Sequence, residues 1–203
     1  MAGGTDRRER IADAVLDIVA ADGIRALTHR AVDRHLELPA GSTSYYFRTK
    51  RELLVAAVER LTESSRRDFE RSRLTRPRPG GLPAVEELAA DIGSALDAML
   101  SDRARDIRVR YALALEMVHD KEIQRALATS IFSQELAAGL VRELGSADPE
   151  IDGANFVALC EGLVWENSVG AQALAGPEPG TAASARRLTA AIATYLGGLS
   201  ARP

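Results

Sequence analysis

The sequence predicts an all-α chain, and three observations carry that prediction. Leucine, alanine and arginine dominate the 203 residues, while alternating β-branched residues are scarce. Apolar residues recur at three- and four-residue spacing over long stretches. Those stretches are punctuated by side chains that start helices and by Gly and Pro that end them. With 46% apolar and 27% charged residues, the composition is that of an ordinary soluble globular chain with a real core.

In the first helix, Asp6 to Asp22, Ile11, Val15, Ile18 and Val19 form a stripe widened by Ala14 and Leu16. Asp6 with Glu9 offers a capping start, and Gly23 stands where a left-handed terminal residue belongs. Thr28 caps a second helix, "HRAVDRHL", that turns Ala31 and Val32 inward. "ELPAG" is a tight turn before a very short third helix, about 40–47, whose first turn suits Pro39. Thr49 and Glu52 form a capping box that opens a fourth helix carrying Leu53, Leu54, Ala57, Val58 and Leu61. The Pro/Gly run "TRPRPGGLP" is the clearest internal boundary, and the fourth helix alone reaches towards both sides of it. Further helices are expected near 83–102, 104–119, 121–145, 149–174 and 180–199. The 149–174 helix is apolar nearly all round, through Phe156, Val157, Leu159, Cys160, Leu163, Val164, Trp165 and Val169. The last helix has Leu188, Ile192, Tyr195 and Leu199 on one stripe and alanines elsewhere. Two such helices fit either a four-helix seam between two chains or an internal core.

No apolar run approaches the roughly 18 residues of a membrane span, and no apolar signal core follows "MAGGTDRRER". A cytoplasmic protein with no membrane partner is expected. A single cysteine, Cys160, leaves no intrachain disulfide and reads as packing in an apolar helix. The three histidines, His29, His35 and His119, form no ligand cluster, so no metal and no cofactor is expected. Catalysis has no constellation to stand on: no Gly-rich phosphate loop and no nucleophile–base pair is legible.

Charge is uneven. Residues 1–78 carry 16 Lys/Arg against 12 Asp/Glu, and residues 79–203 carry 10 against 17. A positive N-terminal end on an acidic body suits an encounter with a polyanion. The stretch "GSTSYYFRTKREL", 41–53, gathers aromatic rings and positive charge in one place. On a helical wheel Thr43 and Phe47 share one side, where with Leu38 they seal the short helix onto the first two. Ser42, Tyr45 and Tyr46 then face outward, with Ser44 on the flank. Tyrosine can meet phosphate or a thymine methyl, and serine a base edge or the backbone. Lys50 adds charge at the next helix start, where amide donors favour phosphate. Two helices, a tight turn and a short exposed third helix make the helix-turn-helix arrangement.

These residues also carry a resemblance. "LTHRAVDRHLELPAGSTSYYFRTKRELL" resembles the N-terminal domain of the TetR family of transcriptional regulators, through Gly23, Leu27-Thr28, Ala31-Val32, Gly41, Tyr45-Tyr46-Phe47, Lys50 and Leu53. The register runs without a gap from about Ile11 to Leu54. The chain departs from it at Thr43-Ser44, where many members have Leu-Tyr, and at Pro39, where a capping Ser often stands. The resemblance implies nine or so helices, a homodimer through the last two, and a small-molecule cavity in the C-terminal body. It implies a DNA-binding domain over 1–50 and a ligand-binding and dimerisation domain over 51–203. By position it implies contacts to a double-stranded operator from Thr28, His29, Arg30, Ala40, Gly41, Ser42, Ser44, Tyr45, Tyr46 and Lys50. A ligand-released repressor is the expected function; a helical enzyme or an adaptor without DNA binding is the alternative.

Within the body, polar residues interrupt apolar helices: Arg108, Tyr111 and Glu116 in one, and Glu161, Trp165, Glu166 and Asn167 in another. Buried polar groups need partners, which can be each other or a ligand. Arg108, Tyr111, Glu116, Glu161, Trp165 and Asn167 are accordingly the candidate pocket lining.

Overall fold

The structure is a computed structural model that describes residues 2–71 and 83–200. The described chain is all-α, with no strand among the described residues. In order it runs α1 (Ala2–Asp22), a 3-10 turn (Ile24–Ala26), α2 (His29–His35), α3 (Ser42–Tyr46), α4 (Lys50–Arg71), α5 (Val85–Asp102) and α6 (Ala104–Glu116). Then follow α7 (Lys121–Ala128), α8 (Gln134–Glu143), α9 (Pro149–Ser168), α10 (Gln172–Ala175) and α11 (Ala182–Ser200). No helix among the described residues is long and apolar enough to cross a membrane. Of the Pro/Gly run read at 75–83, all but Pro83 lies outside the described residues.

The chain divides into two compact units, residues 1–67 with 105–131, and residues 68–104 with 132–203. It therefore passes between them three times, and α6 as well as α4 straddles a crossing, where the sequence pointed to α4 alone.

In the first unit the stripe of α1 (Ile11, Val15, Ile18) closes on Val32 of α2, Leu53 and Leu61 of α4, and Leu113 of α6. Each such aliphatic side chain taken fully out of water contributes about 1.5–3 kcal/mol. Charged ties surround this core. Arg60 of α4 donates from Nε and Nη2 to Asp13 of α1 at 3.0 and 3.1 Å. Arg51 reaches Asp120 at 2.7 Å and Glu122 at 2.6 Å, joining the start of α4 to the start of α7. The hydrogen bond from Arg51, helped by the Ile123 amide, holds the Asp120 carboxyl below the ordinary carboxylate range.

In the second unit α5 packs on α11 and α8 on α9. Leu88, Ile92 and Leu96 of α5 and Leu188, Ile192 and Leu196 of α11 are buried. Approach is backbone-close at two glycines. A Cβ on Gly93 would lie 2.6 Å from the Thr189 amide nitrogen, and one on Gly153 would lie 2.6 Å from that of Ala138. The α11 stripe is thus spent inside the chain, with Leu188 at 1% and Ile192 at 0% exposure, so these two are not seam residues. α9 leaves outward Glu150, Ile151, Ala154, Asn155, Ala158, Gly162, Trp165 and Glu166, with Val169 just past its end.

Several helix limits differ from the sequence reading, each for a local reason. The first helix begins at Ala2, so Asp6 lies inside it and caps nothing. Gly23 has the positive φ expected of it, 78°, but its ψ of 169° takes it out of the left-handed helical well as it leads into the 3-10 turn. Pro39 stays in the turn, its carbonyl accepting from the Ser42 amide at 3.1 Å, and α3 starts only at Ser42. The span 121–145 breaks into α7 and α8 because Ser133 caps a new start, accepting from the Leu136 amide at 3.2 Å. The span 149–174 stops at Ser168, where Asn167 and Ser168 donate to the carbonyls of Leu163 and Val164, both at 2.7 Å. Such back-bonding competes with the helix ladder. The capping box of α4 forms as read, except that Glu52 Oε2 accepts from the Arg48 amide, at 2.8 Å, while Thr49 Oγ1 accepts from the Glu52 amide at 3.2 Å.

Candidate nucleic-acid interface

α3 has only five residues, too short to hold itself together in water. Its neighbours hold it. On one face Thr43 and Phe47 are buried, at 0% and 2% exposure. On the other, Ser44 is exposed and Tyr45 stands out at 83%. Tyr46 departs from the wheel reading. It is half-buried against the first unit's core and meets Tyr45 edge-on, ring centroids 5.1 Å apart. Tyr46 therefore props Tyr45 outward as much as it faces outward itself.

Both ends of α3 are tied from other elements. At the N-terminus Gly41 takes φ 90° in the left-handed region and offers no capping side chain. Asp33 of α2 supplies the cap instead. Its Oδ2 accepts from the Gly41 amide at 2.8 Å, and its Oδ1 accepts from the Thr43 amide at 2.8 Å and the Thr43 hydroxyl at 2.6 Å. Burial alone would raise the Asp33 carboxyl. The Thr43 hydroxyl, the Thr43 and Gly41 amides and the His29 charge outweigh it and hold the group below its ordinary value. At the C-terminus Arg8 of α1 donates to the Tyr46 carbonyl at 2.9 Å and lies 4.3 Å from the Phe47 ring centroid. His29 Nε2 sits 2.8 Å from the Phe47 carbonyl, which can only accept, so that nitrogen carries the proton.

The sequence-derived contact residues fall on three segments of this one unit. Thr28 caps α2, accepting from the Ala31 amide at 3.0 Å. His29 is turned to Phe47, while Arg30 is exposed. Ala40 and Gly41 are exposed in the turn, and Ser42 bends back to donate to the Pro39 carbonyl at 2.6 Å. Lys50 is exposed at the first position of α4, where its Nζ donates to the Ile24 carbonyl at 2.7 Å and pins the 3-10 turn. Sequence reasoning missed Asp33 and Arg8. The signal for Asp33 was a lone carboxylate in the inward Ala31-Val32 run; Arg8 left none, since its partner is a backbone carbonyl 38 residues away.

The candidate pocket residues do not gather in one unit. Arg108, Tyr111 and Glu116 belong to α6 in the first, and Glu161, Trp165 and Asn167 to α9 in the second. Arg108 and Glu116 are exposed, Tyr111 and Glu161 half-buried, and Trp165 is 40% exposed. Asn167 is buried, donating to Leu163 and accepting from Arg187. On α6 the buried cation is Arg110, which donates to the Ser130 hydroxyl at 3.0 Å and the Leu127 carbonyl at 3.2 Å. An open groove of about 200 Å³ between α1 and α4 is lined by Arg8, Glu9, Glu59, Arg60, Glu63 and Arg67 among others, and by none of the six candidates. Cys160 is buried in α9, and burial, with Glu161 beside it, pushes its thiol up to about 12.

A family model described as the tetracyclin repressor-like C-terminal domain matches residues 83–195. Among solved structures, a transcriptional regulator from Rhodococcus sp. Rha1 is 24% identical with a TM-score of 0.72, covering 97% of this chain and 99% of its own. A TetR-family regulator from Streptomyces coelicolor, SCO4454, is 15% identical with a TM-score of 0.69, covering 97% of each chain. The multidrug binding protein EbrR, complexed with imidazole, is 24% identical with a TM-score of 0.63, covering 98% of this chain and 92% of its own. No curated protein sequence matches the chain. The solved structures share the fold, and the family model covers more than half of the sequence, all of it beyond the helix-turn-helix whose residues pointed the same way. The chain therefore belongs to the TetR family of DNA-binding transcriptional regulators.

Proposed function

We propose that the protein is a ligand-released repressor acting in the cytoplasm as a homodimer on a near-palindromic operator. Residues 1–50 read DNA, and residues 51–203 bind the ligand and dimerise. The observation that carries the DNA reading is the two-sided character of α3, with Thr43 and Phe47 locked in the core and Tyr45 held out at 83% exposure. A large exposed ring beside small hydroxyls is suited to a groove, where it can meet a phosphate or a thymine methyl. Ser44, Tyr45 and Tyr46 face bases, with Ala40, Gly41 and Ser42 at the groove edge. Thr28, Arg30 and Lys50 meet phosphates, and His29 acts through its tie to Phe47.

Tyr45→Ala separates this reading from an adaptor without DNA binding. In a gel shift it should weaken specific binding by about 1–3 kcal/mol if the ring meets a base. Lys50→Ala should weaken binding to all sequences and lower the salt slope by about one. If both variants bind as the parent does, α3 is not the reader.

The homodimer is supported by the outward face of α9, where Ala154, Ala158 and Gly162 lie between Ile151 and Trp165. Ala190, Thr194 and Gly198 on the outward side of α11 are equally small. Small residues let helices of two chains approach closely, as in a four-helix bundle. A two-fold pair would present its α3 helices to successive major grooves, roughly 34–36 Å apart. Among the candidate ligand contacts, Arg108, Tyr111 and Glu116 belong to the first unit and Glu161 and Asn167 to the second, while Trp165 belongs to the α9 dimer face. The repressor reading follows the matched tetracyclin repressor-like domain. EbrR has been seen with ethidium, malachite green and proflavin, so planar aromatic cations are the first ligands to try.

A further inference from the structure

We propose that Asp33 is a positioning residue for DNA recognition, setting through Thr43 and Gly41 the angle at which α3 is presented. This rests on the reading that α3 meets the operator. Asp33 is 3% exposed and spends both carboxylate oxygens on the start of α3, accepting three hydrogen bonds of 2.8, 2.8 and 2.6 Å. No residue within the turn could do this. Gly41, at the capping position, has no side chain, and the Ser42 hydroxyl is turned to the Pro39 carbonyl. The cap therefore comes from the neighbouring helix, and what would be a local helix start becomes a joint between α2 and α3. One oxygen holds the turn and the other holds the first helical turn, so the joint resists both rotation and tilt.

The chemistry requires a carboxylate. An Asn side chain has the same size but one oxygen. Whichever way its amide is turned, an NH2 group faces a donor, either the Gly41 amide or the Thr43 pair. Base readout depends on placing the Tyr45 ring and the α3 hydroxyls within a fraction of an ångström, whereas phosphate contacts from Arg30 and Lys50 sit on other elements and carry no sequence information. A disturbed joint should therefore abolish discrimination and leave non-specific binding.

The test uses the full chain, a duplex enriched by the wild-type protein from a random pool, and a scrambled duplex of equal length. Hydrogen bonds to a charged group are strong enough that losing them should cost tenfold or more. Asp33→Asn is expected to lower affinity for the enriched duplex about tenfold or more, with unchanged affinity and salt slope on the scrambled one. Thr43→Val, which keeps the shape and loses the hydroxyl, should lose discrimination in the same sense, and Thr43→Ser should restore it. Thermal melts check folding; if Asp33→Asn does not fold, the Thr43→Val and Thr43→Ser pair decides. Tyr45→Ala is run alongside. If Tyr45→Ala loses discrimination while Asp33→Asn and Thr43→Val keep it, the positioning role is overturned and α3 remains the reader. A Tyr45→Ala variant that keeps full discrimination overturns both. A parallel loss on enriched and scrambled duplexes makes Asp33 merely structural and also overturns the proposal.

Discussion

Glu37 is the one non-glycine residue with a positive φ, 54°, among the described residues. It sits where α2 ends: its amide donates to the Arg34 carbonyl at 3.2 Å, and the next amide, of Leu38, reaches the Asp33 carbonyl at 2.8 Å. This pair of bonds is the Schellman ending, whose left-handed residue is ordinarily Gly. A side chain there costs about 1–2 kcal/mol, partly offset because Gly loses more entropy on folding. Glu37→Gly should therefore raise the unfolding free energy by about 0.5–1 kcal/mol in urea denaturation. An unchanged or lowered midpoint would show the turn to be unstrained. The same turn leads into Gly41, so the backbone of Asp33 ends one helix while its side chain begins the next.

At the scale of elements, close backbone approach organises the second unit. Gly153 lets α9 lie against Ala138 of α8, and a methyl there would meet the Ala138 amide nitrogen at 2.6 Å and its Cα at 2.7 Å. Backbone atoms in a helix cannot yield as a side-chain tip can. Ala would gain about 1 kcal/mol of helix propensity over Gly but lose more to overpacking. Gly153→Ala should thus lower stability by a net of roughly 1–2 kcal/mol, read as a lower denaturant midpoint. A rise would mean the two helices can separate without loss. The neighbouring rings of Phe156 and Tyr195, 5.5 Å between centroids, and the Tyr195 hydroxyl bond to the Asp152 carbonyl at 2.7 Å bind α11 to the same end of α9.

At the scale of the molecule, two outcomes test the proposed switch. Ala158→Arg places a charge on the outward face of α9 and should give a monomer in sedimentation with an unchanged helical signal. Leu188→Asp, by contrast, buries a charge against α5 and should unfold the chain. A dimer that survives Ala158→Arg must use another surface. Ligand release obeys linkage: a ligand that lowers operator affinity tenfold must bind the DNA-free protein tenfold more tightly, about 1.4 kcal/mol. Malachite green titrated with and without operator, after subtraction of dye–DNA binding, should show that difference. Equal affinity in both titrations would make the dye a passenger.

Local chemistry was readable without a structure. Thr28 and the Thr49–Glu52 pair act on amides within four residues, so their roles follow from spacing, and Thr43 and Phe47 are inward because a helix puts residues four apart on one face. The family followed from the same stretch. Tertiary structure decided the rest. Leu188 and Ile192 form a legible stripe, but periodicity says only that a face is buried, not whether α5 or a second chain buries it. The helix over 121–145 broke at Ser133 because a capping side chain outweighed continued apolar spacing. Asp33, Lys50 and Arg8 act on groups 8 to 38 residues away in sequence, beyond the reach of the capping and spacing rules.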